Sequence, residues 1–177
     1  MQQPPAPKLE DATLAFAEQV FDAARLGDAP ALAQWLDNGL PANLRNAKGD
    51  SLLMLASYHG HDDAARLLLQ RGADGDLANG RGQTPLAGAA FKGDLAMARL
   101  LVDGGATVDG RSPDGRTPLM FAALFNRADI VALLLARGAD AQATDHHGTT
   151  ALACANAMGA QDVLHILRDI GSEVSNG

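Results

Sequence analysis

Apolar positions along this chain line up in columns. Reading down the sequence at intervals of 33 residues gives Ala31, Ala64, Met97, Ile130 and Val163, then Trp35, Leu68, Leu101, Leu134 and Leu167, then Leu36, Leu69, Val102 and Leu135. Between them run three glycine ladders at the same interval: Gly49, Gly82, Gly115, Gly148; Gly27, Gly60, Gly93, Asn126, Gly159; and Gly39, Gly72, Gly105, Gly138, Gly171. Self-similarity at a fixed period of this length marks stacked supersecondary units, none of which can bury its apolar face alone. The pattern predicts a solenoid of five units, with each set of apolar columns facing neighbouring units to form one continuous core.

The third unit shows the local grammar. From Asn79 to Ala106 it reads as turn, helix, tight turn, helix, turn. Thr84 is placed to cap the first helix through its hydroxyl, and Pro85 sits at the first helical position, where its missing N–H costs nothing. Thr117-Pro118, Thr150-Ala151 and Ser51-Leu52 fill the same slots. Gly93 then closes the helix with a left-handed residue, and Asn126, the non-glycine residue that best tolerates this conformation, does so in the fourth unit. Asp62, Asp63, Asp94, Asp129 and Asp162 fall at the starts of second helices, where the dipole favours a carboxylate.

The ends depart from the repeat. Glu18-Gln19 replaces the Thr-Pro pair and Phe16 replaces the turn glycine, while Leu14, Ala17, Val20, Phe21 and Ala24 keep helical spacing. A longer first helix starting near Leu9 or Asp11 is expected, forming an N-terminal cap. At the other end Arg168 follows Leu135 in its column, putting a charge where a further unit would pack. The expected organisation is a Pro-rich disordered tail over 1–8 and one domain over 9–177. That domain divides into a cap unit at about 9–45, units at about 46–78, 79–111 and 112–144, and a closing cap at about 145–177.

The motifs Gly82-Gln83-Thr84-Pro85-Leu86 with Ala89-Ala90, Gly115-Arg116-Thr117-Pro118-Leu119 with Ala122-Ala123, and the unit-closing Leu68-Leu69-Gln70-Arg71-Gly72-Ala73-Asp74 and Leu134-Leu135-Ala136-Arg137-Gly138-Ala139-Asp140 recur in register. In these the chain resembles the ankyrin-repeat family over residues 12 to 171, and more loosely the small free-standing bacterial members. The resemblance implies an all-α solenoid of five 33-residue helix-turn-helix units, with short hairpin-like fingers between repeats and first helices lining a concave face. One departure is that the family's histidine after Thr-Pro-Leu is Met54, Ala87, Met120 and Ala153 here. The hydrogen bonds which that histidine supplies must be absent or replaced.

The resemblance also implies where a partner would touch. The finger positions include Arg45, Lys48, Arg81, Arg111, Asp114, Arg116, His146 and His147, and the groove positions include Tyr58, His59, Phe91, Lys92, Leu124 and Phe125. Tyr58, Phe91 and Leu124 share a column, with Phe125 beside them. With helices about 10 Å apart, three columns span roughly 20 Å, enough for a peptide or one helix. Arg45, Lys48, Arg81, Arg111 and Arg116 would form a basic rim. The competing reading has Phe91 and Phe125 folding back over the thin Ala-rich core.

Composition narrows the classes. Aromatic residues are 4% of 177 while hydrophobic residues are 47%, so the core is built mainly of Ala and Leu. The net charge of −7 argues against a nucleic-acid partner, and the basic fingers set against it point to a partner with an acidic or apolar segment. No run approaches a membrane span, the N-terminal residues lack a signal-peptide core, and one cysteine, Cys154, excludes an internal disulfide. A cytoplasmic monomer is expected, with the periplasm left open should a leader have been removed.

Catalytic chemistry finds no foothold. Asp145-His146-His147-Gly148 holds the only histidine pair, and adjacent residues chelate one ion poorly. Asp109 to Gly115 resembles a calcium loop only superficially and reads better as a turn. Phosphate loops, nucleophile motifs and metal-protease helices are absent, so neither a catalytic set nor a metal or cofactor is expected. The sequence therefore predicts a non-enzymatic scaffold that binds another protein through fingers and groove. The alternative is a regulator that occludes the active site of one enzyme or toxin.

Overall fold

The structure is a computed structural model that describes residues 9–174, with side chains described from 13 to 169; the expected tail over 1–8 lies outside the described residues. Within it the chain is all-α. Ten helices alternate in order: α1 (Leu9–Leu26), α2 (Ala29–Asp37), α3 (Leu52–Tyr58), α4 (Asp62–Gln70), α5 (Pro85–Lys92), α6 (Leu95–Asp103), α7 (Pro118–Leu124), α8 (Ala128–Ala136), α9 (Ala151–Met158) and α10 (Gln161–Val174). The odd-numbered helices pack in one layer and the even-numbered in another, each against the next of its kind. Among the described residues the only β pairing is a bridge between Arg45 and Ser51.

The helix boundaries follow the chemistry of the caps. Ser51, Thr84, Thr117 and Thr150 each accept a backbone N–H three residues on, at 3.0, 3.2, 3.4 and 3.2 Å, which satisfies one donor that the first turn leaves orphaned. Asn126 sits at φ 53°, the only non-glycine residue in the left-handed region among those described. Its amide adds a tie to the last unit, donating to Asp162 at 2.9 Å and accepting from the Val163 N–H at 3.4 Å.

The core is continuous from Val20 to Leu167. Leu68, Leu101 and Leu134 are fully buried, as are Ala64, Met97, Ile130 and Val163. The third apolar column behaves differently. Leu36, Leu69, Val102 and Leu135 are only half buried, because two layers of helix leave the outer flank without a cover. At the cap, Trp35 is also half buried and meets the edge of the exposed Phe16 ring at 5.5 Å. Met54, Ala87 and Met120 are buried, so packing replaces the polar role of the histidine they stand for, and Ala153 lies at the surface.

Polar ties join successive fingers unevenly along the stack. Four fingers share a turn in which Asn46, Asn79, Ser112 and Asp145 each donate their own N–H to a carbonyl four residues on, at 3.0, 2.9, 2.9 and 3.0 Å. Their side-chain oxygens accept N–H groups inside the same turn. Arg45 then reaches from the first finger to the second, donating to Gly49 O at 2.9 Å and Ala78 O at 2.7 Å. Arg111 repeats this between the third and fourth, to Gly115 O at 2.9 Å and Thr144 O at 2.7 Å. Backbone bonds reinforce the same two pairs: Gly80 N–H to Lys48 O at 3.1 Å, and His146 N–H to Asp114 O at 3.0 Å. The second and third fingers lack both devices, since the slots hold Ala78 and Pro113. At the helix ends Arg71 pairs with Asp37 at 2.8 Å, and Arg137 with Asp103, tying the end of α2 to that of α4 and the end of α6 to that of α8.

Arg111→Ala removes a charged donor from two carbonyls, and net hydrogen bonds at an exposed site are modest. A loss of about 1 kcal/mol is expected. Urea unfolding followed by circular dichroism measures it, and an unchanged midpoint would show that the clasp contributes nothing.

Candidate protein-binding surface

The clasps sort the basic residues expected at a binding face. Arg45 and Arg111 are engaged with backbone carbonyls, so their guanidinium groups act first within the chain. Arg116 faces Asp114 at 3.3 Å and the buried Asp145 carboxylate at 3.6 Å. Asp114 titrates below the usual carboxylate value, first because Ser112 donates its hydroxyl to it and then because Arg116 lies beside it. Asp145 is lowered chiefly by the Thr149 N–H. Lys48 and Arg81 differ from all of these: both are exposed, and neither side chain has a carboxylate partner among the described residues.

Lys48 and Arg81 stand over the groove aromatics. Between the first two fingers and the inner helices α3 and α5 lies a concave cavity of about 370 Å³, lined by both cations and by Leu55, Tyr58, Gly88 and Phe91. Tyr58 and Phe91 are 50% and 45% exposed, so neither ring has folded back into the core. Lys92 donates to the Tyr58 carbonyl and places its ammonium 4.8 Å from that ring's centroid, a cation–π arrangement that holds the ring in place. His59 meets the Tyr58 ring edge-on at 5.6 Å. Burial, then the nearby His61, Lys92 and Arg25, keep His59 below its ordinary pKa.

Leu124 and Phe125 are less available. Both are half buried; Leu124 packs against the core, and Phe125 sets its ring edge-to-face on Phe91 at 4.6 Å. The strip therefore runs as Tyr58 with Lys92, then Phe91 with Phe125. Tyr58 and Phe91 supply most of its open aromatic surface.

Gly88 is the residue that reading the columns for apolar side chains overlooks. The equivalent slot on α3, α7 and α9 holds Leu55, Phe121 and Cys154, whereas on α5 a Cβ would meet nothing within 4 Å. The signal in the sequence was the gap in that column. Glycine inside a helix is unfavourable, so Gly88→Ala should raise stability by about 0.5–1 kcal/mol in thermal or urea unfolding. A loss of stability would mean the notch is not open.

The remaining candidates lie apart. His146 and His147 are exposed at the tip of the fourth finger, and among the described residues no three His, Cys, Asp or Glu side chains are grouped as around a metal. Asp109 accepts the Asp140 N–H at 3.1 Å, a tie between units. Cys154 is buried, and burial pushes its thiol above the ordinary value, away from reactivity. A larger cleft of about 620 Å³ lies in the other layer between α4 and α6, where Arg66 and Arg99 are accompanied by Asp62 and Asp103. No helix among the described residues is long and apolar enough to cross a membrane.

Comparison with known proteins agrees with the geometry. The profile described as ankyrin repeats (3 copies) matches residues 20–112 and 88–176. An ankyrin repeat protein of Pseudomonas aeruginosa is 58% identical over 67 residues, a stretch covering 38% of this chain and 39% of that relative.

Proposed function

The chain belongs to the ankyrin-repeat family, whose repeats are in general protein–protein interaction modules, and on that premise we propose that it is a non-enzymatic scaffold binding one partner protein through its concave groove and fingers. The observation that carries the reading is the pair of exposed rings, Tyr58 and Phe91, beside two cations without carboxylate partners among the described residues, Lys48 and Arg81. Aromatic anchors within a charged rim are what hot spots are made of. The clasped fingers hold this surface in its binding shape before the partner arrives, which keeps the ordering cost low. The reading has the chain acting as a monomer in the cytoplasm.

The test is affinity capture from a bacterial lysate with wild type beside a Tyr58, Phe91 and Phe125 triple-alanine variant shown to be folded by circular dichroism. A partner retained by the wild type and weakened about 100-fold in the variant is expected. Equal retention would remove the groove from the account. Assaying the captured protein with and without this chain then separates a scaffold from an inhibitor that occludes an active site.

A further inference from the structure

We propose that the notch at Gly88 is a specificity pocket that receives one apolar side chain of the partner, flanked there by acidic residues that Lys48 and Arg81 hold. The assignment rests on the interaction reading above and narrows it to one end of the groove and one kind of segment.

Space comes first. On α3, α7 and α9 the slot carries a side chain, and on α5 it carries none, leaving a recess beside Leu55, Tyr58 and Phe91 within a cavity of about 370 Å³. Met54, Leu55, Tyr58 and Phe91 make the helix side of the cavity apolar, while Asn79 and Gln83 line its finger side, so an apolar group is favoured against the helices and polar groups towards the fingers. A single Leu or Phe side chain with its adjoining main chain matches that size.

Charge comes second. Three cations line the cavity: Arg25, which is paired with Asp22, and Lys48 and Arg81, which have no carboxylate partner among the described residues. The one carboxylate in the lining, Asp50, accepts a hydrogen bond from the Asn46 amide at 3.2 Å. The cavity is thus net positive in a chain of net charge −7, and elsewhere on the fingers the basic groups are engaged within the chain. Charge complementarity selects an acidic segment and disfavours a basic one.

Preorganisation comes third. Lys48 and Arg81 sit on the two fingers that Arg45 clasps, and the Gly80 N–H donates to Lys48 O at 3.1 Å. The spacing of the two backbone segments that carry these cations is therefore set before binding. An extended acidic peptide laid along the groove would meet both fingers while its central side chain enters the notch.

The probes are fluorescein-labelled dodecapeptides of Asp, Glu, Gly and Ser carrying one central Phe, Leu or Ala, each with a counterpart in which Lys replaces the acids, and a labelled dT oligomer. They are followed by anisotropy with the full chain. The acidic Phe or Leu peptide should bind at least about tenfold tighter than its Ala-centred analogue, its Lys counterpart or the oligomer. Gly88→Leu should weaken it at least about tenfold with the melting temperature unchanged or raised, since Leu55 already occupies this slot on α3. Lys48→Glu with Arg81→Glu should do the same. Peptides that fail to bind, that bind as well through Ala or Lys, or that are unaffected by Gly88→Leu would overturn the pocket, as would preference for the oligomer. A protein lost with the triple-alanine variant but still held by Gly88→Leu would overturn the pocket while leaving the interaction reading in place.

Discussion

Leu101→Ala should lower the stability of the whole stack by about 3–5 kcal/mol. Leu101 is fully buried on α6, in a column with the equally buried Leu68 and Leu134. Deleting its isopropyl group loses the transfer energy of those carbons and leaves a cavity that the neighbouring helices cannot collapse into, because each is held by its own neighbours. In a solenoid every unit is stabilised only through the interfaces on either side, so a defect in the middle weakens both halves at once. The loss is a large part of the roughly 5–15 kcal/mol that a domain typically has. Leu69→Ala, one residue along α4's half-buried flank, serves as the control and should cost markedly less. Urea unfolding of both variants makes the comparison, and equal losses would mean that the two columns are not distinguished by burial.

Gly82→Ala should cost about 2–4 kcal/mol, far more than the same change at Gly148. Both glycines occupy the left-handed region, at φ 74° and 75°, so both substitutions pay the backbone strain. They differ in their surroundings. A Cβ at Gly82 would lie 2.1 Å from Pro113 Cγ, whereas at Gly148 it would meet nothing within 4 Å. Pro113 cannot rotate away, since its ring is fused to the backbone of the third finger. That ring against Gly82 is what the second and third fingers have in place of a backbone hydrogen bond, so the substitution would push the fingers apart and displace the neighbouring Arg81. Gly148→Ala should cost only about 1–2 kcal/mol. Thermal unfolding of the two variants decides it, and matched midpoints would show that the finger contact is loose.

Much of the fold was legible because the period converts local rules into global ones. Thr84, Thr117 and Thr150 cap helices as their hydroxyls suggest, and Asn126 adopts the conformation its column demands. What was not legible is what happens between residues 33 apart. Arg45 and Arg111 look like free basic rim residues in sequence, yet each reaches a carbonyl on the next finger. Likewise the column of Leu36, Leu69, Val102 and Leu135 looks as apolar as its neighbours, and only the two-layer packing tells it apart. Along the groove, helical position gave the location of Tyr58, Phe91, Leu124 and Phe125, whereas exposure depended on ring geometry that the sequence does not encode locally.

The most direct test of the account is hydrogen–deuterium exchange of this chain with and without its captured partner. Protection is expected in the first two fingers, around Asn46 to Asp50 and Asn79 to Gln83, and on α3 and α5, with α4 and α6 unchanged. Protection confined to α4 and α6, over the cleft that Arg66 and Arg99 line, would contradict the concave surface as the place where this protein does its work.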